Sequence, residues 1–286
     1  MKIGISFDNN PRGYARFGKE TFEKIKSLGF STLDYNISDA NAPLYRVSVE
    51  ELAPMMRERK AAIESAGLLI SQTHAPFRWP PKERTEEEQA SLLVTAKRAV
   101  LATHLLGCPY VVFHPLMPYG TEDRATEHAK DTWEINFRFM TELLKTAKQY
   151  DVTLCLENMP LREYSIATAE ETLNFVKAIG DEHFGMCLDT GHAAVFTERS
   201  IGDDIRMLGN HLKVMHVHDN MGNADSHLWP SKGILDWNAI TSALRDIGYS
   251  GSFSLETCPS MALEDDDFAR STLELIGIAK GLTASL

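Results

Sequence analysis

Four side chains stand at or near the ends of short apolar runs in the second half of the chain. Glu157 closes TLCLE, Asp189 closes FGMCLD, His216 lies in VMHVHD and Glu256 closes FSLE. Such runs read as buried strands. A charged residue at the last position of a buried strand faces the rim where the strand opens. Each residue alone has an ordinary reading, a Glu as the cap of a following helix or a His hydrogen-bonded at the rim. Together they are harder to accommodate. Burying three carboxylates side by side without a cation costs several kcal/mol and drives protonation. Three carboxylates and one imidazole instead make a hard, oxygen-rich site for one divalent ion: manganese, zinc, cobalt or magnesium.

More polar residues follow the same strand ends. They are His74 in THAPF, His114 in FHPLMP, Asn158 after Glu157, His192 in LDTGH, His218 in HVHD, and Asp225 and His227 in DSH. His216 and His218 lie two residues apart and share a strand face, so this pattern admits either as the nitrogen ligand. Phe7, Phe77, Trp79 and Trp229 are candidates for an apolar wall around the site, and each also reads as ordinary packing.

The elements that must carry these groups recur along the whole chain. Strand-like runs occur at 3–7, 32–37, 68–74, 110–114, 153–157, 184–189, 214–219 and 252–256, about every 30 to 43 residues. Helical patterns lie between them. Ser48-Val-Glu-Glu51 is a capping box ahead of an amphipathic stretch closed by Gly67. Thr85 opens a second stretch that runs to Gly107, and Asp236 caps a third. Residues 125–150 and 265–280 also read as helical. A helix between each pair of strands implies parallel pairing. Eight such units in 286 residues predict a (β/α)8 barrel. No low-complexity linker divides the chain, so one barrel domain is expected over residues 1–286. An open doubly wound sheet is disfavoured because DNNPRGYARFG, not a Gly-rich phosphate loop, follows the first strand.

Composition narrows the function classes. Forty-three per cent apolar and 24 per cent charged residues are globular values. A formal net charge of −11 argues against a general nucleic-acid surface, which needs a basic stripe. The four cysteines, Cys108, Cys155, Cys187 and Cys258, form no CxxC pair, which favours a reducing compartment over a disulfide scaffold. The opening MKIGISFDNN turns polar too soon for a signal peptide. No stretch reaches the roughly 20 apolar residues that span a bilayer. A cytoplasmic location is expected.

In strand order and motif order, most clearly over residues 68–257, the chain resembles the xylose-isomerase-like TIM-barrel superfamily. That group includes tagatose- and psicose-type sugar epimerases, inosose-pathway isomerases and dehydratases, and endonuclease IV. The Glu–Asp–His–Glu series on strands five to eight carries the likeness. It implies that Glu157, Asp189, His216 and Glu256 bind one divalent metal, His216 being selected by the spacing His216-Val-His-Asp219. It further implies that Glu157 and Glu256 pass a proton through an enediolate in a sugar, sugar phosphate or cyclitol isomerase or epimerase. His74, His114, His192, Asp225 and His227 match the additional zinc ligands of endonuclease IV, so they bind substrate or further metal. The chain departs from the psicose-type enzymes at two places. Gly222 stands where they have an Arg six residues past the metal His, and Pro230-Ser-Lys-Gly233 replaces a Pro-Gly-x-Gly turn. Lys232 and Trp79 are weaker substrate-binding candidates. The expected partner is a small carbohydrate, with no nucleic acid and no membrane, and a homo-oligomer is compatible with all of this. Two alternatives carry their own chemistry: a phosphodiester hydrolase on abasic DNA with up to three zinc ions, and a non-catalytic metal-binding barrel.

Overall fold

The computed structural model describes residues 1–8, 20–77, 85–196, 198–257 and 265–286. Eight strands alternate with helices along the chain. The strands are β1 (Lys2–Asp8), β2 (Thr32–Asn36), β3 (Leu69–His74), β4 (Tyr110–Phe113), β5 (Thr153–Glu157), β6 (Phe184–Asp189), β7 (Leu212–His216) and β8 (Ser252–Leu255). Between and after them come α1 (Glu20–Leu28), α2 (Val49–Ser65), α3 (Glu86–Leu105), α4 (His128–Gln149) and α5 (Ala169–Ile179). A one-turn α6 (Thr190–Ala194), then α7 (Ile201–Leu208), α8 (Trp237–Asp246) and α9 (Asp265–Thr283) complete the order.

Local sequence explains several helix starts. Ser48, Thr85 and Thr168 each accept from the backbone N–H three residues on, and Glu51, Glu88 and Glu171 reach back to the cap's own N–H. Two otherwise unpaired amides are thus satisfied at each start. Asp236 caps α8 through the Ala239 amide.

The strands pair in parallel in the order β7-β6-β5-β4-β3-β2-β1-β8. Closure between β7 and β8 runs through Val217, which bridges Leu255 in parallel. Its N–H donates to the Ser254 carbonyl at 2.8 Å, and its carbonyl accepts from Glu256 N at 3.1 Å. The result is the (β/α)8 barrel expected from the repeat. Strand seven starts two residues earlier than its apolar run suggests and ends at His216, because the backbone there leaves β6 to bridge β8.

Alternation along the strands sorts two interiors. Outward residues such as Leu33, Tyr35, Val111, Leu154, Leu156, Met186, Leu188, Met215 and Phe253 pack under the helices in the main core. Phe7 belongs to this layer rather than to a site wall: its ring lies 5.3 Å from Phe22 and 5.8 Å from Tyr35. Inside the barrel, Val112, Cys155, Cys187 and Val214 form a separate apolar cluster, beside the buried Asp34 and Gln72 of β2 and β3. Cys108, Cys155 and Cys187 are free and buried, while Cys258 and Trp79 lie outside the described residues. Among the described residues no helix is long and apolar enough to cross a membrane.

Candidate metal centre

Parallel strands all point their C-terminal ends to one side, so residues at those ends meet at one mouth. Glu157 and Asp189 are the last residues of β5 and β6, His216 is the last of β7, and Glu256 follows β8 directly. One ligand atom from each of these four residues lies within 4.8 Å of every other. His216 Nδ1 sits 2.8 Å from Glu157 Oε1, 3.3 Å from Glu256 Oε2 and 3.9 Å from Asp189 Oδ2. Ligands bonded at about 2.1 Å to one ion stand roughly 3 to 4.2 Å apart, so the spacings suit a shared cation. The donor set, three carboxylates and one imidazole whose Nδ1 faces all three, fits a hard or borderline divalent ion.

His218 shares the strand face but not the cluster. The chain has turned after Val217, and His218 Nε2 lies 3.0 Å from each oxygen of Asp189. Its ring stacks on His227 at 4.1 Å. Gly191 is required beneath it, because a Cβ there would run into the His218 ring.

The remaining sequence candidates line the same mouth in two groups. His114 Nε2 and His74 Nε2 approach Glu157 Oε2 at 3.1 and 3.3 Å, so the two oxygens of Glu157 serve different neighbours. On the other side, His192 Nε2 and His227 Nε2 approach Asp225 Oδ2 at 3.3 and 3.2 Å. Asn158 ties the halves together: its amide donates to the Asp189 carbonyl, and its side-chain oxygen accepts from the Asp189 N–H. Its own carbonyl meets His192 Nδ1 at 2.8 Å. Phe77 lies 4.4 Å from the His114 ring and supplies an apolar edge. Lys232 is exposed, with Nζ 3.9 Å from Glu274 of α9. Trp229 packs partly buried against the main core.

Burial and charge pull the carboxylates apart in the metal-free protein. Burial alone would raise Glu157, but the His216 and His114 imidazoles hold it well below the usual carboxylate range. Burial raises Glu256, and the carboxylates of Asp189 and Glu157 reinforce this against the partial opposition of His216. Asp189 is brought down to about 2 because His192 and His218 outweigh its burial. His192 is lifted to about 10, its burial overcome by Asp189, and His227 to about 9, chiefly by Asp225. Raised imidazoles stabilise the fold fully below their unfolded value near 6.5 and lose that contribution as pH climbs through the folded value. The stability of chelator-treated protein should therefore fall between pH 6.5 and about 10, read as a declining urea midpoint. A flat midpoint across that window would contradict the pairing.

Two buried acids escaped the reading of the sequence. Asp34 of β2 lies behind His216, its Oδ2 2.9 Å from Nε2. The alternation Thr32, Asp34, Asn36 along β2 was the available signal. Asp219 had served only as a spacing mark, yet it organises the loop that carries Asp225 and His227. Its carboxylate accepts from the amides of Asn220, Ser231 and Leu235 at 2.9, 3.1 and 3.2 Å and from Trp237 Nε1 at 2.8 Å. Asp219→Ala should cost about 3 to 5 kcal/mol in urea unfolding, because removing this buried carboxylate leaves four donors unmet. A loss below about 1 kcal/mol would show that water replaces it.

Comparison with known proteins places the geometry in context. The family model described as xylose isomerase-like TIM barrel matches residues 22–276. The D-psicose 3-epimerase of Ruminiclostridium cellulolyticum is 30% identical over 264 residues, covering 90% of this chain and 83% of that protein. The D-psicose 3-epimerase of Enterocloster bolteae is 28% identical over 263 residues, covering 90% and 82%. The inosose isomerase of Bacillus subtilis is 25% identical over 183 residues, 60% of this chain and 62% of that protein. Among solved structures, D-psicose 3-epimerase with D-tagatose from Clostridium cellulolyticum H10 superposes with a TM-score of 0.76 at 22% identity, over 99% of both chains. The IOLI protein, solved with a zinc atom, superposes with a TM-score of 0.74 at 16% identity, over 99% of this chain and 98% of that one. A match over nearly the whole barrel, together with eight parallel strands closing below the four-donor cluster, shows that the chain belongs to the xylose isomerase-like TIM-barrel family.

Proposed function

We propose that the protein is a divalent-metal-dependent sugar or cyclitol isomerase or epimerase that moves a proton between Glu157 and Glu256. The observation that carries this reading is the cluster of four donor atoms, all within 4.8 Å of one another, at the open end of the barrel. Its relatives among sugar epimerases and inosose isomerases support the substrate class. A divalent ion held by Glu157, Asp189, His216 and Glu256 supplies Lewis acidity toward a substrate carbonyl and its neighbouring hydroxyl.

The chain's own groups divide the remaining work. Glu157, kept ionised by two imidazoles, takes the proton from the carbon beside the carbonyl. Glu256, raised by burial and by its carboxylate neighbours, holds and returns one from its own side. Two carboxyls with opposite shifts are what an acid and base pair needs at one pH. His114 and His192 face the same space and bind substrate oxygens. Phe77 covers one edge and keeps water from the substrate's carbon face.

In heavy water the substrate should acquire deuterium at the reacting carbon, followed by NMR across a panel of ketoses, aldoses and cyclitol ketones. No exchange with metal-replete protein on any member of the panel would overturn the reading.

A second reading rests on the shared carboxylate oxygens. Glu157 Oε2 lies within reach of both His74 and His114, and Asp225 Oδ2 of both His192 and His227. Such sharing suits a site with up to three zinc ions and a phosphodiester hydrolase on abasic DNA. Metal analysis separates the two: one equivalent per chain favours the isomerase, and three equivalents with cleavage of abasic DNA favour the hydrolase.

A further inference from the structure

Among the described residues, the barrel interior below the mouth holds an acidic side chain, Asp34, whose purpose the metal cluster does not explain. Asp34 is 2% exposed. It sits between Gln72 and His216. Its Oδ2 accepts from Gln72 Nε2 at 3.0 Å and lies 2.9 Å from His216 Nε2. Gln72 is itself anchored across the barrel, donating from the same nitrogen to the Met215 carbonyl at 3.2 Å. Asp34 Oδ1 has no hydrogen-bond partner among the described residues. A buried carboxylate is costly unless something needs its charge, and the ionisable group it touches is His216.

The orientation of that imidazole matters. Nδ1 faces Glu157, Glu256 and Asp189, and Nε2 faces Asp34. Both ring nitrogens face carboxylates, Nδ1 at 2.8 Å from Glu157 and Nε2 at 2.9 Å from Asp34. Only the Nδ1 side opens on the three-carboxylate space, so a cation held there would take Nδ1 and leave the ring's N–H on Nε2, toward Asp34. A proton pinned on Nε2 leaves the Nδ1 lone pair for a cation. Carboxylates behind ligating imidazoles fix the tautomer and raise ligand basicity.

We propose that Asp34, held by Gln72, is a positioning residue that locks His216 in the Nε2-protonated form and so sets the affinity of the Glu157–Asp189–His216–Glu256 site for its divalent ion. This rests on the metal site of the proposed function. It assigns to β2 and β3, which supply no ligand to that site, a direct hold on its chemistry.

The test is calorimetric titration of full-length, chelator-stripped protein with Co²⁺ and Zn²⁺, wild type against Asp34→Asn. Asn keeps the size and an oxygen acceptor but removes the charge. We expect Asp34→Asn to bind about 10- to 100-fold more weakly and to give an altered visible spectrum with Co²⁺. A merely structural Asp34 would lower the unfolding midpoint of the stripped protein and leave the dissociation constant of the folded variant within about twofold; that result overturns the proposal. If the variant does not fold, wild-type protein with ¹⁵N-labelled histidine and Zn²⁺ decides. Its His216 signal, identified by its loss in His216→Gln, should show the proton on Nε2 and the metal on Nδ1, and the reverse arrangement overturns the proposal. Wild-type protein that binds neither ion would remove the metal site itself, a failure distinct from equal binding by the two proteins.

Discussion

Glu256→Gln should abolish the uptake of deuterium from heavy water into a sugar substrate, lowering exchange by about a hundredfold to ten-thousandfold, and Glu157→Gln should do the same. The two losses arise differently. Glu157 is fully enclosed, with Oε1 2.8 Å from His216 Nδ1 and Oε2 near His74 and His114. An amide there places an N–H₂ group against imidazoles that now face a carboxylate, so metal content should fall along with turnover. Glu256 keeps its side chain about one quarter exposed. Its amide variant should retain more of the metal while losing the proton that only a carboxyl carries. Metal content measured on the same samples separates the effects. A Glu256→Gln protein that holds metal and exchanges at the wild-type rate would sink the two-glutamate mechanism. Exchange lost only in proportion to metal would reduce Glu256 to a ligand.

His216→Ala should lower the affinity for a divalent cation by more than about 100-fold, whereas His218→Ala should lower it by roughly 10-fold or less. Of these two histidines, His216 is the one whose nitrogen meets Glu157, Glu256 and Asp189 together. His218 contacts both oxygens of Asp189 and stacks on His227 without reaching Glu157 or Glu256 in the four-donor group, so its loss loosens one ligand without removing a donor from that group. The signature of His218→Ala should therefore be stability. Asp189 would lose a partner that helps keep it ionised, and the unfolding midpoint of the metal-free protein should drop. Isothermal titration with Mn²⁺ and urea unfolding of the stripped proteins measure the two quantities. Equal affinity losses in the two variants would contradict the division of labour between these histidines.

The amino-acid sequence alone determined a good deal. The repeat of apolar runs and capped helices specifies the eight parallel strands, and eight such units with no Gly-rich phosphate loop after the first strand favour a closed barrel over an open sheet. Parallel strands send all their C-terminal ends one way, so the acidic and histidine residues at those ends had to share a mouth. That argument uses direction alone and needs no side-chain contact. What it could not settle was anything depending on where the chain turns or how deep a residue lies. His216 and His218 have the same periodicity, and the end of β7 at His216, after which Val217 bridges β8, decides which one faces the cluster. Asp219 looked like a spacing mark, and only the fold of residues 217–237 gathers four donors around it. The exposed Lys232 lies 3.9 Å from Glu274, a neighbour that no motif in the sequence indicated. Asp34 was visible as a polar residue in alternation with apolar ones. That it stands behind His216, three strands away through β1 and β8, follows from closure, which brings β2 and β7 face to face across an interior narrow enough for their side chains to touch.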